Sequence, residues 1–488
     1  MVSKSVKELL IFLAIIAICI IVYTRYFSGI FIEYDDAVYG YAIATQNPVL
    51  FQTSFPGSLG LIAYGYPFFL AFGNSLYMPT FVGLSSILIT IFLIFMIGKE
   101  LNSLIVGVVG SIFYALNPLV ISYSTRLIPD TFTTMVLCLS ILIVLIASKR
   151  KNNYLFLLSG FVAGLSLFFG LQGFLVMFAF FVFAVVYLFA IGRGKKKAGS
   201  KAHYVPILLI LFGMIIGFVV WLLPQQILYG NPLRAIRFSS SFWYSISGSL
   251  SQSYNQSNSR YFYVYLTFPT NRLGQIVSDT EEPYSNIGIL AFIFILMSIV
   301  AVAQRRNFRK LLPYQISATA FILYLLFGTQ SLHAYSHLMH INRLMIPFVL
   351  LLAIGSAYAI ELIESKELVK YALIGCLIAA FVISSFYFST YSAAFYGATH
   401  GLYENVSNIG LAFRGINASN YTVYENYSTV PAALCMVLKV NPDNCIVEQN
   451  LPANLCSQNR TILVYEGREL CSGNHVYENG NLYVNLIK

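Results

Sequence analysis

The sequence predicts a mainly α-helical, polytopic membrane protein of about 11 transmembrane helices, with a small extracytoplasmic α/β domain at the C-terminal end. Three observations carry that expectation. Of 488 residues, 58% are hydrophobic and only 10% are charged. A soluble protein carries about 25% charged residues, so much of this chain needs lipid around it. The apolar residues also come in runs close to the ~20 residues that cross a hydrocarbon core. After residue 392 the pattern stops: charge, Asn, Tyr and Gly rise and the apolar runs shorten to strand length.

The runs fall at 9–27, 78–97, 103–121, 131–148, 154–171, 173–192, 204–224, 285–303, 312–330, 344–363 and 369–388. Between 154 and 192 only Gly170 and Gln172-Gly173 punctuate the sequence. The stretch 59–73 is shorter and is interrupted by Gly65 and Pro67, which suits an amphipathic helix lying at the membrane surface. The first run is too long for the core of a cleaved signal peptide and no small-residue cleavage site follows it, so it is expected to be retained.

Orientation follows from the basic residues. Lys4 and Lys7 precede the first run, and Lys149, Arg150 and Lys151 follow the fourth. Arg193, Lys195, Lys196, Lys197 and Lys201 lie between the sixth and seventh. Arg305, Arg306, Arg309 and Lys310 follow the eighth, and Lys366 and Lys370 follow the tenth. Alternate loops are therefore basic, which places the N-terminus in the cytoplasm and the C-terminal domain outside. The net charge of +10 is then a topology signal, and it argues against a nucleic-acid partner.

Other residues agree with that orientation. Asp35, Asp36, Asp130, Asp279 and Asp443 all fall on the expected outer side. So do the N-x-S/T acceptor sites for N-glycosylation at Asn255, Asn405, Asn417, Asn420, Asn426 and Asn459. Cys435, Cys445, Cys456 and Cys471 lie in the outer tail, where disulfides persist and where three pairings are open. Cys19, Cys138 and Cys376 sit within spans and read as packing residues.

Two parts follow: a membrane body over 1–392 and a soluble outer domain over 393–488. In the outer domain Thr422 to Glu425 and Ile462 to Glu466 read as strands, and Pro431 to Leu438 as a short helix. Val476 to Val484 reads as a hairpin around Asn479-Gly480, since Asn-Gly suits a type I′ turn. A second sizeable outer loop, about 225–284, is rich in Ser, Tyr, Asn and Gln. It reads either as a lid over a site or as a solvated connector.

Candidate chemistry gathers in the outer loops. Glu33, Asp35 and Asp36 place three carboxylates shortly after the first span. Clustered carboxylates raise one another's pKa, which suits a general base. They equally suit a divalent metal, or a solvated acidic loop. Arg126 and Asp130 are four residues apart between the third and fourth spans. An ion pair capping a helix is the plain account of them. Before the tenth span, His333 and His337 are one helical turn apart with His340 three further on. That spacing could hold a metal, although interfacial histidines are more often polar anchors. Arg343, at the same junction, suits a phosphate oxygen of a lipid carrier.

Taken in order, these residues resemble a known superfamily. A cytoplasmic N-terminus and one span lead to Asp35-Asp36. Tyr66-Pro67 and Gly73 follow, then two spans, then Asn117-Pro118 leading to Arg126 and Asp130. Ser159-Gly160 and Ala163-Gly164 come next, and later Arg343 with Pro347 opening a span. The set resembles the GT-C superfamily of membrane glycosyltransferases, in the branch of protein O-mannosyltransferases and lipid A aminoarabinose transferases, over most of residues 9–363. The resemblance implies a polyprenyl-phosphate-linked sugar donor, and transfer on the outer face with inversion to a lipid, glycan or protein acceptor. It implies that Asp35 or Asp36 activates the acceptor, that Arg126 and Asp130 line the cavity, and that Arg343 sits near the donor phosphate. No sequence like WWDYG occurs in the tail, so transfer to Asn sequons is not the reading. With a polyprenyl donor, outer acceptor sites for N-glycosylation fit an archaeal-type cell membrane or a eukaryotic endoplasmic reticulum, and the former is the expectation. A catalytically inactive GT-C-like receptor or assembly factor stays open as the alternative. A transporter fits less well, because the spans carry almost no charge.

Overall fold

The computed structural model describes residues 4–26, 39–40, 42–44, 58–73, 77–192, 201–241, 289–303, 308–327, 342–363 and 367–397. In the tail it describes 409, 412, 421–425, 438, 445–447, 461–466, 475–479 and 482–487. The helices are α1 Lys4–Tyr26, α2 Leu59–Phe72, α3 Tyr77–Glu100, α4 Leu104–Ala115, α5 Pro118–Tyr123, α6 Pro129–Arg150 and α7 Asn153–Leu165. They continue with α8 Gly173–Gly192, α9 Lys201–Tyr229, α10 Ile289–Ala303, α11 Leu312–Phe327, α12 Ile346–Leu362 and α13 Glu367–Gly397. Among the described residues, 4 helices are long and apolar enough to cross a membrane by length and composition, namely those within α3, α6, α8 and α9.

Burial separates inner from outer helices. Every residue of α12 from Ile346 to Ile360 is buried, as is most of α6. An apolar helix covered on all sides belongs at the centre of a bundle. On α9, by contrast, Leu208, Phe212, Ile215 and Val219 are exposed while Ile210, Met214 and Trp221 are buried. Exposed apolar side chains also line α1 and α10, with Leu9, Leu13 and Ile21 on the first and Phe292, Ile295 and Ile299 on the second. Such faces are what a lipid solvent requires. Cys19 and Cys138 are buried as expected, but Cys376 is exposed on α13 and packs nothing in the core.

Apolar surface alone does not hold helices together in lipid, where close backbone contact takes over. The crossing of α7 and α9 shows this. Gly160 and Gly164 on one helix face Gly213 and Gly217 on the other. A Cβ at Gly164 would lie 2.8 Å from both Gly217 Cα and the Met214 carbonyl oxygen, and one at Gly160 would collide with the Ile210 carbonyl. At the expected cytoplasmic end, Lys99 pairs with Glu8 at 3.2 Å, Lys149 with Glu100 at 3.3 Å and Lys370 with Glu361 at 3.0 Å.

Three expected spans differ in detail. The run 103–121 is broken, because α4 stops at Ala115 and Asn117-Pro118 starts the short α5. Proline cannot donate the hydrogen bond that would continue a helix but is favoured at its first position. The run 204–224 extends to Tyr229, and α13 runs past residue 392 to Gly397. The stretch 59–73 is helical but carries no charged residue, with Leu70 and Phe72 exposed and Leu61 and Gly65 buried.

In the tail the described strands form a 5-stranded sheet in the order β2-β1-β3-β5-β4, from β1 Thr422–Glu425, β2 Cys445–Val447, β3 Thr461–Glu466, β4 His475–Asn479 and β5 Leu482–Ile487. β1 runs parallel to β2 and β3, and β5 is antiparallel to β3 and β4. Asn479 pairs with Leu482, so the linking residues are Gly480 and Asn481, one position later than the expected Asn479-Gly480. β2 had no expectation. Of the expected helix Pro431–Leu438 only Leu438 is described, and Cys435, Cys456, Cys471 and the sites at Asn255, Asn405, Asn417, Asn420, Asn426 and Asn459 lie outside the described residues.

Candidate active site

The site is built on the connection between α4 and α6. Asn117 Oδ1 accepts the Leu119 N–H at 3.0 Å and Pro118 takes the first helical position, which starts α5. The chain leaves α5 through a tight turn in which the Arg126 N–H donates to the Tyr123 carbonyl at 3.2 Å. That turn folds the Arg126 guanidinium over the Tyr123 ring, with Cζ 4.8 Å from its centroid. Pro129 and Asp130 then open α6. Ile128 at its N-cap offers no side-chain acceptor, so Asp130 supplies the negative charge that the positive end of the helix favours.

Arg126 is 2% exposed and Asp130 is 1% exposed. Taking a charge out of water costs several kcal/mol unless partners return it, so two such residues on one turn are unusual for a loop that only joins helices.

Three elements enclose the turn. Gly83 of α3 lies under the Arg126 carbonyl, where any Cβ would collide. Tyr39, Ala42, Ile43, Leu61 and Val82 form one buried cluster with Leu127 and Phe132, the residues flanking Arg126 and Asp130. Opposite, the loop 166–173 approaches the start of α6. Phe169 stacks on Phe132 at 5.5 Å, and a Cβ at Gly170 would be 3.1 Å from Pro129 Cβ. Ser166 Oγ closes that loop, 2.6 Å from the Ala163 carbonyl and 3.1 Å from that of Gly173. From α2, Tyr64 meets Phe132 edge-on at 5.1 Å, and its hydroxyl lies 2.9 Å from Ser85 Oγ. Burial pushes the Tyr64 phenol above its ordinary pKa, while the Ser85 hydrogen bond opposes the rise.

Arg126 and Asp130 are thus brought onto one buried turn. The turn Asn342–Met345, which carries Arg343 and leads into α12, packs against α5. The Arg343 side chain is outside the described residues, as are Glu33, Asp35, Asp36, His333 and His337. Among the described residues no group of three His, Cys, Asp or Glu could hold a metal ion. Of the loop 225–284, residues 225–229 end α9 and 234–241 are helical. Sequence reasoning passed over Tyr123 and Gly83. An aromatic three residues before an arginine was the available signal for the first; nothing local marks the second.

Residues 63–221 match the model of the dolichyl-phosphate-mannose-protein mannosyltransferase family. That interval contains Arg126, Asp130 and the loop 166–173. The chain also superimposes on ArnT from Cupriavidus metallidurans bound to undecaprenyl phosphate, with a TM-score of 0.56 and 12% identity over 97% of this chain and 97% of that one. The fold is that of the GT-C membrane glycosyltransferases. A second GT-C structure, the archaeal oligosaccharyltransferase AglB from Archaeoglobus fulgidus with an inhibitory peptide and a dolichol-phosphate, matches with a TM-score of 0.52 and 12% identity over 93% of this chain and 69% of that one. No curated protein sequence matches the chain. The resemblance drawn from the ordered motifs is therefore met by the family model over residues 63–221 and by the fold.

Proposed function

We propose that this protein is an inverting glycosyltransferase that moves a sugar, of the hexosyl or mannosyl class, from a polyprenyl-phosphate donor to an acceptor hydroxyl on the outer face of a cell membrane. The observation that carries the reading is the buried Arg126–Asp130 turn in a GT-C fold. Relatives sharing that fold are named with undecaprenyl phosphate and dolichol-phosphate bound, which supports a donor of the same chemistry.

In this reading Asp35 takes the proton of the acceptor hydroxyl as its oxygen attacks the anomeric carbon. The bond from that carbon to the phosphate oxygen breaks on the opposite side, and polyprenyl phosphate leaves. Asp36 and Glu33 hold Asp35 and the acceptor. Arg126 and Arg343 stabilise the charge that grows on the leaving phosphate, and Asp130 orients the donor. Support for placing the acidic loop here is that Tyr39, three residues after Asp36 in the sequence, packs with Leu127 and Phe132.

The test is release of polyprenyl phosphate from a labelled polyprenyl-phosphate mannose by purified protein in nanodiscs, with an extract of the native membranes supplying the acceptor hydroxyl. Wild type should release it and Asp35→Asn should not, with donor binding retained. Equal release by both would remove Asp35 from the mechanism; release by neither, with an intact fold, would favour an inactive GT-C-like receptor.

A further inference from the structure

Gln225 has no part in the reading above. It follows Pro224 in α9, one helical turn beyond Trp221. It is fully buried, and among the described residues neither its Oε1 nor its Nε2 has a hydrogen-bond partner. A buried carboxamide with all its hydrogen bonds unmade is rare in a native fold and calls for a ligand.

Local structure fixes which way it faces. α9 ends at Tyr229, and Gly230, at φ 65°, reverses the chain and donates its N–H to the Gln226 carbonyl at 2.9 Å. Asn231 Oδ1 accepts the Leu233 N–H at 3.0 Å, and residues 234–241 return as a helix. Ala235 on that helix shares a buried cluster with Trp221 and Leu167, bordered by Phe168, Leu171 and Phe174. Positions four apart share a helix face, so Gln225 lies on the side of α9 that meets the loop 166–173. The other side of that loop carries Phe169 and Gly170 against Phe132 and Pro129, beside Asp130.

We infer that Gln225 is a specificity-determining contact of the donor site, taking a hydroxyl of the lipid-linked sugar across the loop from Asp130. This rests on the donor reading proposed above. The chemistry selects a hydroxyl over a phosphate. A carboxamide needs both to give and to accept hydrogen bonds; a phosphate oxygen only accepts, whereas a sugar hydroxyl does both. The Trp221 and Phe174 rings, 6.5 Å apart at 82°, belong to the apolar cluster on the same side of α9.

The experiment measures binding of undecaprenyl phosphate alone, and of its mannose, glucose and galactose derivatives, to wild type and Gln225→Met in nanodiscs, with thermal melting of each ligand-free protein. Methionine keeps the volume and removes both hydrogen-bonding atoms. The best-bound sugar lipid should weaken about tenfold in the variant, while the bare phosphate lipid binds as before and melting does not fall. Equal weakening of both lipids, unchanged binding of the sugar lipid, or a wild type that binds no sugar lipid better than the bare one would overturn the inference. A wild type that binds none of these lipids would instead remove the donor reading on which it rests.

Discussion

The α7–α9 crossing and the Arg126–Asp130 turn are both fully buried, yet they are built from opposite chemistry. At the crossing, glycines remove side chains so that two backbones touch, and Gly164 and Gly217 leave no room for a methyl group. Nothing there can bind or react. At the turn, a guanidinium and a carboxylate are kept at 2% and 1% exposure, where apolar residues would cost less. The crossing is what stability looks like in lipid, and the turn carries the function proposed above. Gly83 joins the two strategies, since its missing side chain is what seats the Arg126 backbone.

The contrast yields variants with opposite signatures. Gly160→Leu should have the largest effect. Its side chain would meet the Ile210 backbone, and backbone cannot move aside as a side chain can, so a loss of more than about 3 kcal/mol and failure to recover folded protein are expected. Size-exclusion chromatography of the solubilised variant checks this; a monodisperse peak at wild-type yield would show the crossing to be looser than described. Arg126→Met comes next. Transfer should fall about a hundredfold or more while folded protein is still recovered. A variant that melts lower and keeps its activity would make the turn structural and erase the contrast.

Tyr123→Leu sharpens the same point at smaller scale. Losing the ring beneath the guanidinium should cost about 1 kcal/mol of Arg126 positioning and reduce transfer about fivefold, read as a change in kcat with KM held. The smallest effect belongs to Lys149→Met at the expected cytoplasmic end. Its pair with Glu100 is half exposed, so stability should shift by no more than about 1 kcal/mol and transfer should not change.

How much of this was legible beforehand differs from residue to residue. Arg126 and Asp130 stood out because charge is scarce in this chain, but their spacing alone read as an ion pair capping a helix at the membrane surface; that both are buried was not legible. The break at Gly170 and Gln172-Gly173 was readable as the end of a span, and α8 does begin at Gly173. That the same loop packs on Pro129 and Phe132 was not, because those contacts join residues about forty positions apart and depend on how α6, α7 and α9 pack. Gln225 was hidden for a related reason: one of two adjacent glutamines at the end of an apolar run reads as an interface residue, and only the fold shows which of them is buried. In the tail, β1 was readable from its strand-forming residues Thr422, Val423 and Tyr424. The three-residue β2 was not, since a strand that short is defined by its pairing with β1 rather than by its own composition.

By itself the sequence determined the solvent, the helices and the gathering of charge between the apolar runs. Those follow from local hydropathy and from where Lys and Arg fall, which neighbours in space do not alter. Tertiary structure alone decided which polar residues are buried together and which glycines are contacts. Burial is a property of partners, and here those partners come from helices far apart in the chain.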